Sequence, residues 1–263
     1  MNLMLGCDPE FFLADVNGQL KSAIDKVGGT KAHPMPLPLG PGFAVQEDNV
    51  TVEFNIPPAQ AKQEFVDSIK ATLSFLSDTL SESYGLTPIK LSAVSFPSDQ
   101  LLDPRAQEFG CEPDFNAWTM MKNPRPSAED KNLRSCGGHI HIGYDKKLVV
   151  PERIIRNMDL FLGIPSVLMD NGELRKQLYG KAGAYREKVY GVEYRTLSNY
   201  WIFDEELIGW AWDNTLRAVE AAVAQPVLQE QDHKLVQDCI NNNDKLLAEM
   251  LVHKYKLNTL RVN

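Results

Sequence analysis

The segment EDNVTVEFNI, residues 47–56 of this 263-residue chain, is the strongest indicator of its fold class. From residue 50 onward the even positions are apolar, with Val50, Val52, Phe54 and Ile56, and the odd positions of the segment are polar. This alternation predicts a strand with one apolar and one polar face. Strands of parallel sheets are buried on both faces and are apolar throughout, so the segment favours an antiparallel sheet with one open face.

Other segments extend this prediction along the chain. Alternation predicts further strands at residues 4–13, 139–142 and 192–195. Apolar spacing, helix caps and breakers predict helices at residues 60–83 (with Gly85 as the stop), 152–163 (between Pro151 and Pro165), 204–223 and 229–257 (broken at 241–243). The sequence therefore predicts an α+β fold in one domain, residues 1–263, whose part from about residue 204 is helical.

Composition narrows the classes of protein and partner. The chain is 43% hydrophobic and 24% charged, which is typical of a globular protein. Its net charge of -8 makes sequence-independent binding of nucleic acid improbable. No signal-like N-terminus and no apolar run of about 20 residues is present, so we expect a cytoplasmic protein without a membrane partner. The four separated cysteines, Cys7, Cys111, Cys136 and Cys239, are expected to be reduced.

The polar faces of the predicted strands carry an unusual set of side chains. They are Asp8, Glu10, Glu47, Asn49, Glu53, Asn55, His139, His141, Glu193 and Arg195. Carboxylates that share one face repel each other unless a counter-charge lies among them, and a divalent cation would supply it. Oxygen ligands favour magnesium, calcium or manganese. The alternative is that each strand is the solvated side of a surface sheet.

Several cations lie close to these strands in sequence. Arg195 follows Glu193 by two residues, Arg134 and Arg186 precede predicted strands, and Lys31 lies in a loop rich in glycine and proline. A guanidinium is the usual bidentate partner of phosphate or carboxylate. The P-loop, dinucleotide-binding, zinc-protease and hydrolase-elbow motifs are absent from the sequence.

Five blocks of the sequence resemble those of the bacteriophage type 2 carboxylate-amine ligases, a family of the glutamine synthetase and glutamate-cysteine ligase superfamily. They are GCDPEFFL, EDNVTVEFNIPP, GCEPDFNAW, RSCGGHIHIGY and YGVEYRTLSNYW, between residues 5 and 201. The resemblance implies a curved antiparallel sheet shaped as a funnel, with helices on its outer face, an ATP site at one end and metal ions in the middle. For a phage protein the location would be the host cytoplasm.

The resemblance also implies roles for individual residues. Metal ligands would be Asp8, Glu10, Glu47, Glu53, His141 and Glu193, and Arg195 would contact the transferring phosphoryl. From their positions on or beside the motif strands, we also predict that Arg134 and Arg186 are catalytic with Arg195, and that Lys31, Arg195, His139 and Asn55 bind ATP. The implied reaction is an ATP- and Mg²⁺-dependent amide synthesis through an acyl phosphate, with Mn²⁺ as a substitute.

The substrates and some alternatives stay open. A small molecule or a peptide would supply the carboxylate and the amine, and a nucleic-acid acceptor is only weakly disfavoured. The oligomeric state is also undetermined by the sequence. The rival functions are a metal-dependent hydrolase and a non-catalytic module that binds metal or nucleotide.

Overall fold

Antiparallel pairing joins the strands of the computed structural model, which describes residues 2–107, 114–224 and 228–260. The strands are β1 (Met4–Cys7), β2 (Glu10–Asp15), β3 (Leu20–Lys21), β4 (Met35–Pro36), β5 (Ala44–Asp48), β6 (Thr51–Asn55), β7 (Leu86–Ile89), β8 (Ala93–Ser95), β9 (Phe115–Asn116), β10 (Met121–Lys122), β11 (Leu133–Ser135), β12 (Ile140–Gly143), β13 (Ala184–Lys188) and β14 (Gly191–Tyr194). The helices are α1 (Lys62–Tyr84), α2 (Pro104–Gln107), α3 (Pro151–Met158), α4 (Ile164–Met169), α5 (Glu205–Val223), α6 (His233–Asn241) and α7 (Lys245–Tyr255).

Two larger sheets and a small one are formed from these strands. One sheet has the order β1-β12-β14-β13-β9-β10, and the other has the order β3-β2-β6-β5-β4 with β7 also paired to β2. One of the sheets curls strongly into the form of half a barrel. Strands β8 and β11 pair separately. The described strand pairs are antiparallel, which confirms that part of the sequence prediction.

The segment 47–56 is a hairpin, so the prediction of a single strand there is wrong. Strands β5 and β6 pair with Asp48 opposite Thr51 and Gln46 opposite Glu53, across a turn at residues 49–50. Asn49 makes the turn with a φ of 57°, in the left-handed region that asparagine tolerates. The turn exchanges odd and even positions, which moves Glu47 to the face opposite that of Glu53.

The segment 4–13 is also two strands rather than the predicted one. Strand β1 ends at Cys7 and pairs with β12, whereas β2 begins at Glu10 and pairs with β6. Pro9 lies between them and has no N–H to donate to a ladder, although its carbonyl accepts the N–H of Phe54 at 3.2 Å. The chain therefore passes from one sheet to the other at Asp8.

Most of the helix predictions are confirmed. Helix α1 ends at Gly85, whose φ of 64° forms a left-handed cap. Asp204 caps α5 by accepting the N–H groups of Glu206 and Leu207. Helices α6 and α7 are separated at residues 242–244, as the asparagine run predicts.

The helix predicted to stop before Pro165 continues beyond it. After α3, a π-helical turn (Asp159–Gly163) leads directly into α4. Pro165 thus lies inside a continuous helical run, at the point where the π-helical turn passes into α4.

The core lies between the sheets and the helices. One apolar cluster extends from Leu5 in β1 to Leu251 in α7, and both side chains are fully buried. Cys7, Cys136 and Cys239 are buried free thiols, while Cys111 lies outside the described residues. In the described parts of the chain, no helix combines the length and apolarity needed to cross a membrane.

Candidate metal and anion site

One row of residues across the strands places ionisable side chains on a single face of the first sheet. Its register aligns Gly6, His141, Glu193 and Arg186 on β1, β12, β14 and β13. Residues directly opposite each other in a sheet project from the same face. The intervening residues, such as Val192, are buried in the apolar core. The sheet therefore has one apolar and one ionisable face, as the alternation predicts.

Glu193 is the centre of the cationic part of this face. Its carboxylate, which is 0% exposed, forms ion pairs with Arg195, with Lys188 at 2.8 Å and with Arg186 at 3.4 Å. Burial alone would raise the pKa of Glu193, but attraction to Arg195 lowers it to about 2. Because three cations surround one carboxylate, the local charge is positive and could bind an anionic group.

Asp8 lies between two histidines at the junction of the sheets. Its carboxylate is 3.2 Å from Nδ1 of His139 and 3.0 Å from Nε2 of His141. Burial opposes ionisation of Asp8, yet the two imidazoles, His141 above all, hold its pKa well below the ordinary value. Burial and the charge of Arg195 lower the pKa of His139 to about 4. His139 is therefore neutral near neutral pH.

His141 has partners at both ring nitrogens. Nε2 faces Asp8, and Nδ1 is hydrogen-bonded to the hydroxyl of Tyr190. Burial lowers the pKa of His141, but the attraction of Asp8 outweighs it and the net shift is upward.

A second group, the acid cluster, consists of Glu10, Asp48 and Glu53. One carboxylate oxygen of each lies within 4.8 Å of the others. Glu10 and Glu53 are directly opposite on β2 and β6, and Asp48 is on the Glu53 face of β5. Burial and the charge of Asp48 raise the pKa of Glu10 to about 8, although the N–H of Gly137 donates to its carboxylate at 2.8 Å.

Glu53 shows that the two parts of the site are close together. It is 6% exposed, and burial followed by the charge of Asp8 raises its pKa well above the ordinary value. Asp8 itself forms a second potential metal group with His141 and Glu193, again within 4.8 Å. The described residues thus contain two adjacent groups with the donor atoms of a metal site.

One comparison with known proteins finds a family for part of the chain. Residues 128–239 match the family described as phage phiEco32-like COOH.NH2 ligase-type 2. This match confirms the resemblance found in the sequence, and the family name indicates a carboxylate-amine ligase. A search of curated proteins finds no significant match to the chain.

Most residues expected for a COOH.NH2 ligase come together in the structure. Those at the two groups or in contact with them are Asp8, Glu10, Glu53, His139, His141, Arg186, Glu193 and Arg195. Lys31 is exposed in its loop, but its charge is near enough to oppose the rise in the pKa of Glu53. Asn55 lies on the Glu53 face of β6, opposite Ala44.

Glu47 and Arg134 are not brought to the site. The carboxylate of Glu47 accepts the N–H of Asp25 at 2.6 Å and pairs with Arg105 at 3.3 Å, because the hairpin turn places it on the opposite face. Arg134 donates to the carbonyl of Ala106 at 2.7 Å and to three other protein oxygens. Its guanidinium therefore joins backbone segments rather than facing the carboxylate groups.

Three residues near the site are absent from the sequence-based set. Asp48 was missed because the turn at residue 49 cannot be seen in the alternation. Lys188 could have been found, since it is two residues from Arg186 on the same strand face. Asp114, 3.5 Å from Nε of Arg195, belongs to the GCEPDFNAW block, whose first residues 110–113, including Glu112, lie outside the described residues.

Proposed function

We propose that the protein is an ATP- and Mg²⁺-dependent carboxylate-amine ligase that forms an amide through an acyl phosphate. One observation carries the proposal: the acid cluster lies within electrostatic reach of Asp8 and Arg195, and Arg195 surrounds Glu193 together with Arg186 and Lys188. Phosphoryl transfer needs both, because metal ions must hold the phosphates while fixed positive charge stabilises the transferring group.

The acid cluster has the properties of a magnesium site. It offers oxygen atoms from Glu10, Asp48 and Glu53, and the pKa values of Glu10 and Glu53 are raised by burial first and by neighbouring carboxylates second. A divalent cation would supply that charge, and hard oxygen donors favour Mg²⁺ or Mn²⁺. Asp8, His141 and Glu193 would hold a second ion. When bound, these ions would hold the ATP phosphates and neutralise developing charge.

The cations of the chain would act on the anionic groups. Arg195 would contact the transferring phosphoryl, while Arg186 and Lys188 would orient it or the substrate carboxylate.

The proposed reaction has two steps. A carboxylate oxygen of the acid attacks the γ-phosphorus and ADP leaves. The amine nitrogen then attacks the acyl carbon, phosphate leaves with the bonding electrons, and the nitrogen loses a proton. The burial of Glu53, Glu193 and Arg195 keeps water from the acyl phosphate.

The finer predictions belong to the same proposal. Lys31, His139 and Asn55 would lie along the nucleotide, and the curled sheet would form the wall of a glutamine synthetase-like funnel. A small molecule or peptide would supply the acid and the amine. The place of action would be the cytoplasm, that of the host for a phage protein.

The experiment traps the acyl phosphate without knowledge of the natural amine. The protein is incubated with ATP, Mg²⁺, pooled amino acids and peptides as acids, and hydroxylamine as the amine; hydroxamate and ADP are measured. We expect both products to require an acid. Arg195→Met and Glu53→Gln should each lower the rate at least 100-fold, because each removes charge stabilisation at the transferring group.

Glu47→Gln is the matched control, because Glu47 is the carboxylate that the turn removes from the site. It should retain the wild-type rate. ADP release without an acid would favour the metal-dependent hydrolase instead. Saturable Mg²⁺ and ATP binding with no product from any acid pool would favour the non-catalytic module.

A further inference from the structure

Tyr190 is exposed but firmly held at the rim of the site. Its side chain is 47% exposed, and the preceding Val189 is entirely exposed at the tip of the β13-β14 hairpin. Nevertheless its ring stacks on the imidazole of His141, with centroids 6.0 Å apart and planes at 21°, and its hydroxyl is hydrogen-bonded to Nδ1. These two contacts together hold the ring against His141.

The backbone on both sides fixes the position of this ring. The carbonyl of Tyr190 accepts the N–H of Tyr144 at 3.1 Å, which attaches the hairpin tip to the end of β12. Gly191 follows with a φ of 157°, and a Cβ there would lie 1.9 Å from the carbonyl oxygen of Ile142. Glycine thus permits the close approach of the hairpin to β12 that brings Tyr190 over His141.

The contacts at His141 define what the hydroxyl of Tyr190 can do. Because Nδ1 is engaged by Tyr190, Nε2 is the nitrogen that faces Asp8, at 3.0 Å. A hydroxyl can donate to an unprotonated Nδ1 or accept from a protonated one. It can therefore stay bonded when Nε2 donates to Asp8 and also when Nε2 gives up its proton to bind a metal.

We infer that Tyr190 is the positioning residue of the metal group formed by Asp8, His141 and Glu193, holding the imidazole of His141 so that Nε2 is its ligand atom. The inference rests on the metal centre of the proposed function. Hydrogen-bond partners of metal-binding histidines fix the tautomer and ring orientation, and their removal weakens metal binding about 10- to 100-fold.

The test uses Mn²⁺ as a paramagnetic probe for this group. Its affinity is measured by electron paramagnetic resonance for wild type, Tyr190→Phe and Tyr185→Phe. Tyr185 is the matched control, since it is on the same hairpin and its hydroxyl also donates to a partner, Glu152 at 2.7 Å, on the helix-covered side. Tyr190→Phe should weaken the Mn²⁺ site that includes His141 by 10- to 100-fold. Tyr185→Phe should leave that affinity unchanged.

A second readout shows which nitrogen of His141 binds the metal, with diamagnetic Mg²⁺ in place of Mn²⁺. The ¹⁵N chemical shifts of the imidazoles report which ring nitrogen carries the proton, and with five histidines in the chain His141 can be assigned by its absence in His141→Gln. Without metal, Asp8 should keep the proton on Nε2 in both proteins; with Mg²⁺, the proton should move to Nδ1 in wild type and stay on Nε2 in Tyr190→Phe at the same Mg²⁺ concentration. A structural role alone would change the melting temperature without changing this response to Mg²⁺.

The outcomes separate this inference from the proposed function. Wild type that binds no Mn²⁺ would contradict the metal centre itself, and the inference with it. Wild-type binding that Tyr190→Phe leaves unchanged, or a wild-type response of His141 to Mg²⁺ in that variant, would overturn the role of Tyr190 while the ligase proposal stands.

Discussion

Burial and the charge of Asp48 raise the pKa of the Glu10 carboxyl to about 8. In the folded protein this carboxyl is therefore protonated below that pH. The unfolded chain releases the same proton near pH 4.5, its ordinary value. The folded state therefore binds more protons at Glu10 between these two values, and the contribution of Glu10 to stability falls as the pH rises from about 4.5 to 8. In the metal-free protein, ionisation of Glu10 in the acid cluster therefore lowers the free energy of unfolding above neutral pH.

Glu10→Gln should remove most of this dependence. The amide oxygen can still accept the N–H of Gly137 but carries no charge beside Asp48. At pH 8.5 without metal we expect the variant to melt about 3–6 °C higher than wild type, roughly 1–2 kcal/mol for a chain of this size. At pH 5 the two should melt within about 1 °C of each other. Differential scanning calorimetry over this pH range measures both.

Glu187→Gln serves as the control for this experiment. Glu187 is an exposed carboxylate paired with Lys146 at 3.4 Å, and its loss should leave the pH dependence of melting as in wild type. A gap between the melting temperatures of wild type and Glu10→Gln that does not widen from pH 5 to 8.5 would contradict the proposed origin of the instability. Excess Mg²⁺ should flatten the wild-type curve and have little effect on Glu10→Gln, since binding to the native state stabilises it.

Most site residues could be identified from the sequence because alternation separates polar from apolar positions in each segment. Asp8, Glu10, His141, Glu193 and Arg195 were found in this way. The alternation does not show how they are paired, since pairing depends on contacts between distant strands. The ion pairs around Glu193 and the stacking of Tyr190 on His141 therefore appear in the structure alone.

At the scale of elements, the hairpin of β5 and β6 explains why Asp48, and not Glu47, is in the acid cluster. A two-residue turn reverses which positions share a face, and local alternation is the same for a strand and for such a hairpin. Asn49 was the available signal, because asparagine is among the few residues that adopt a positive φ readily. In the alternation of residues 47–56, however, Asn49 counts as one more polar position of a single strand.

Asn49→Val should disrupt this turn and the site together. A β-branched residue is strained at a φ of 57°, and the variant also loses the acceptor for Nε of Arg134 at 3.0 Å. We expect a loss of roughly 2–4 kcal/mol in urea unfolding and weaker Mg²⁺ binding, because Asp48 is displaced.

Two further variants test whether the turn geometry at residue 49 causes this loss of stability and Mg²⁺ binding. Asn49→Gly keeps the positive φ, and it should lose roughly 1–2 kcal/mol through its missing hydrogen bonds while it retains most of the Mg²⁺ affinity. Asn17→Val changes an exposed asparagine in another turn and should cost less than about 1 kcal/mol. Equal effects of Asn49→Val and Asn49→Gly on Mg²⁺ binding would contradict a role for the turn geometry.

At the scale of the whole molecule, the site depends on parts of the chain that lie far apart in sequence. The family match, residues 128–239, includes His141, Glu193 and Arg195, while the acid cluster precedes it. Strand β1 completes the first sheet beside β12, and the chain then crosses into the second sheet at Asp8. The acid cluster therefore comes from the first part of the chain, and the cations around Glu193 come from the family-matched part.

A single apolar cluster joins these parts and predicts that they unfold together. Phe54 in β6 and Leu251 in α7 are both fully buried members of it, although they belong to opposite ends of the chain. Phe54→Ala and Leu251→Ala should each cost roughly 3–5 kcal/mol and lower the melting temperature by roughly 6–15 °C. Because the core is shared, each variant should shift one common transition, with equal calorimetric and van't Hoff enthalpies.

Two probes distinguish this result from independent domains. Far-ultraviolet circular dichroism follows mainly the helices, including α5 and α7, whereas bound Mn²⁺ reports on the site between the sheets. In a cooperative molecule both signals are lost at the same temperature in wild type and in each variant. If Leu251→Ala instead melted the helical part from residue 204 at a lower temperature while Mn²⁺ remained bound, the single domain predicted from the sequence would be two.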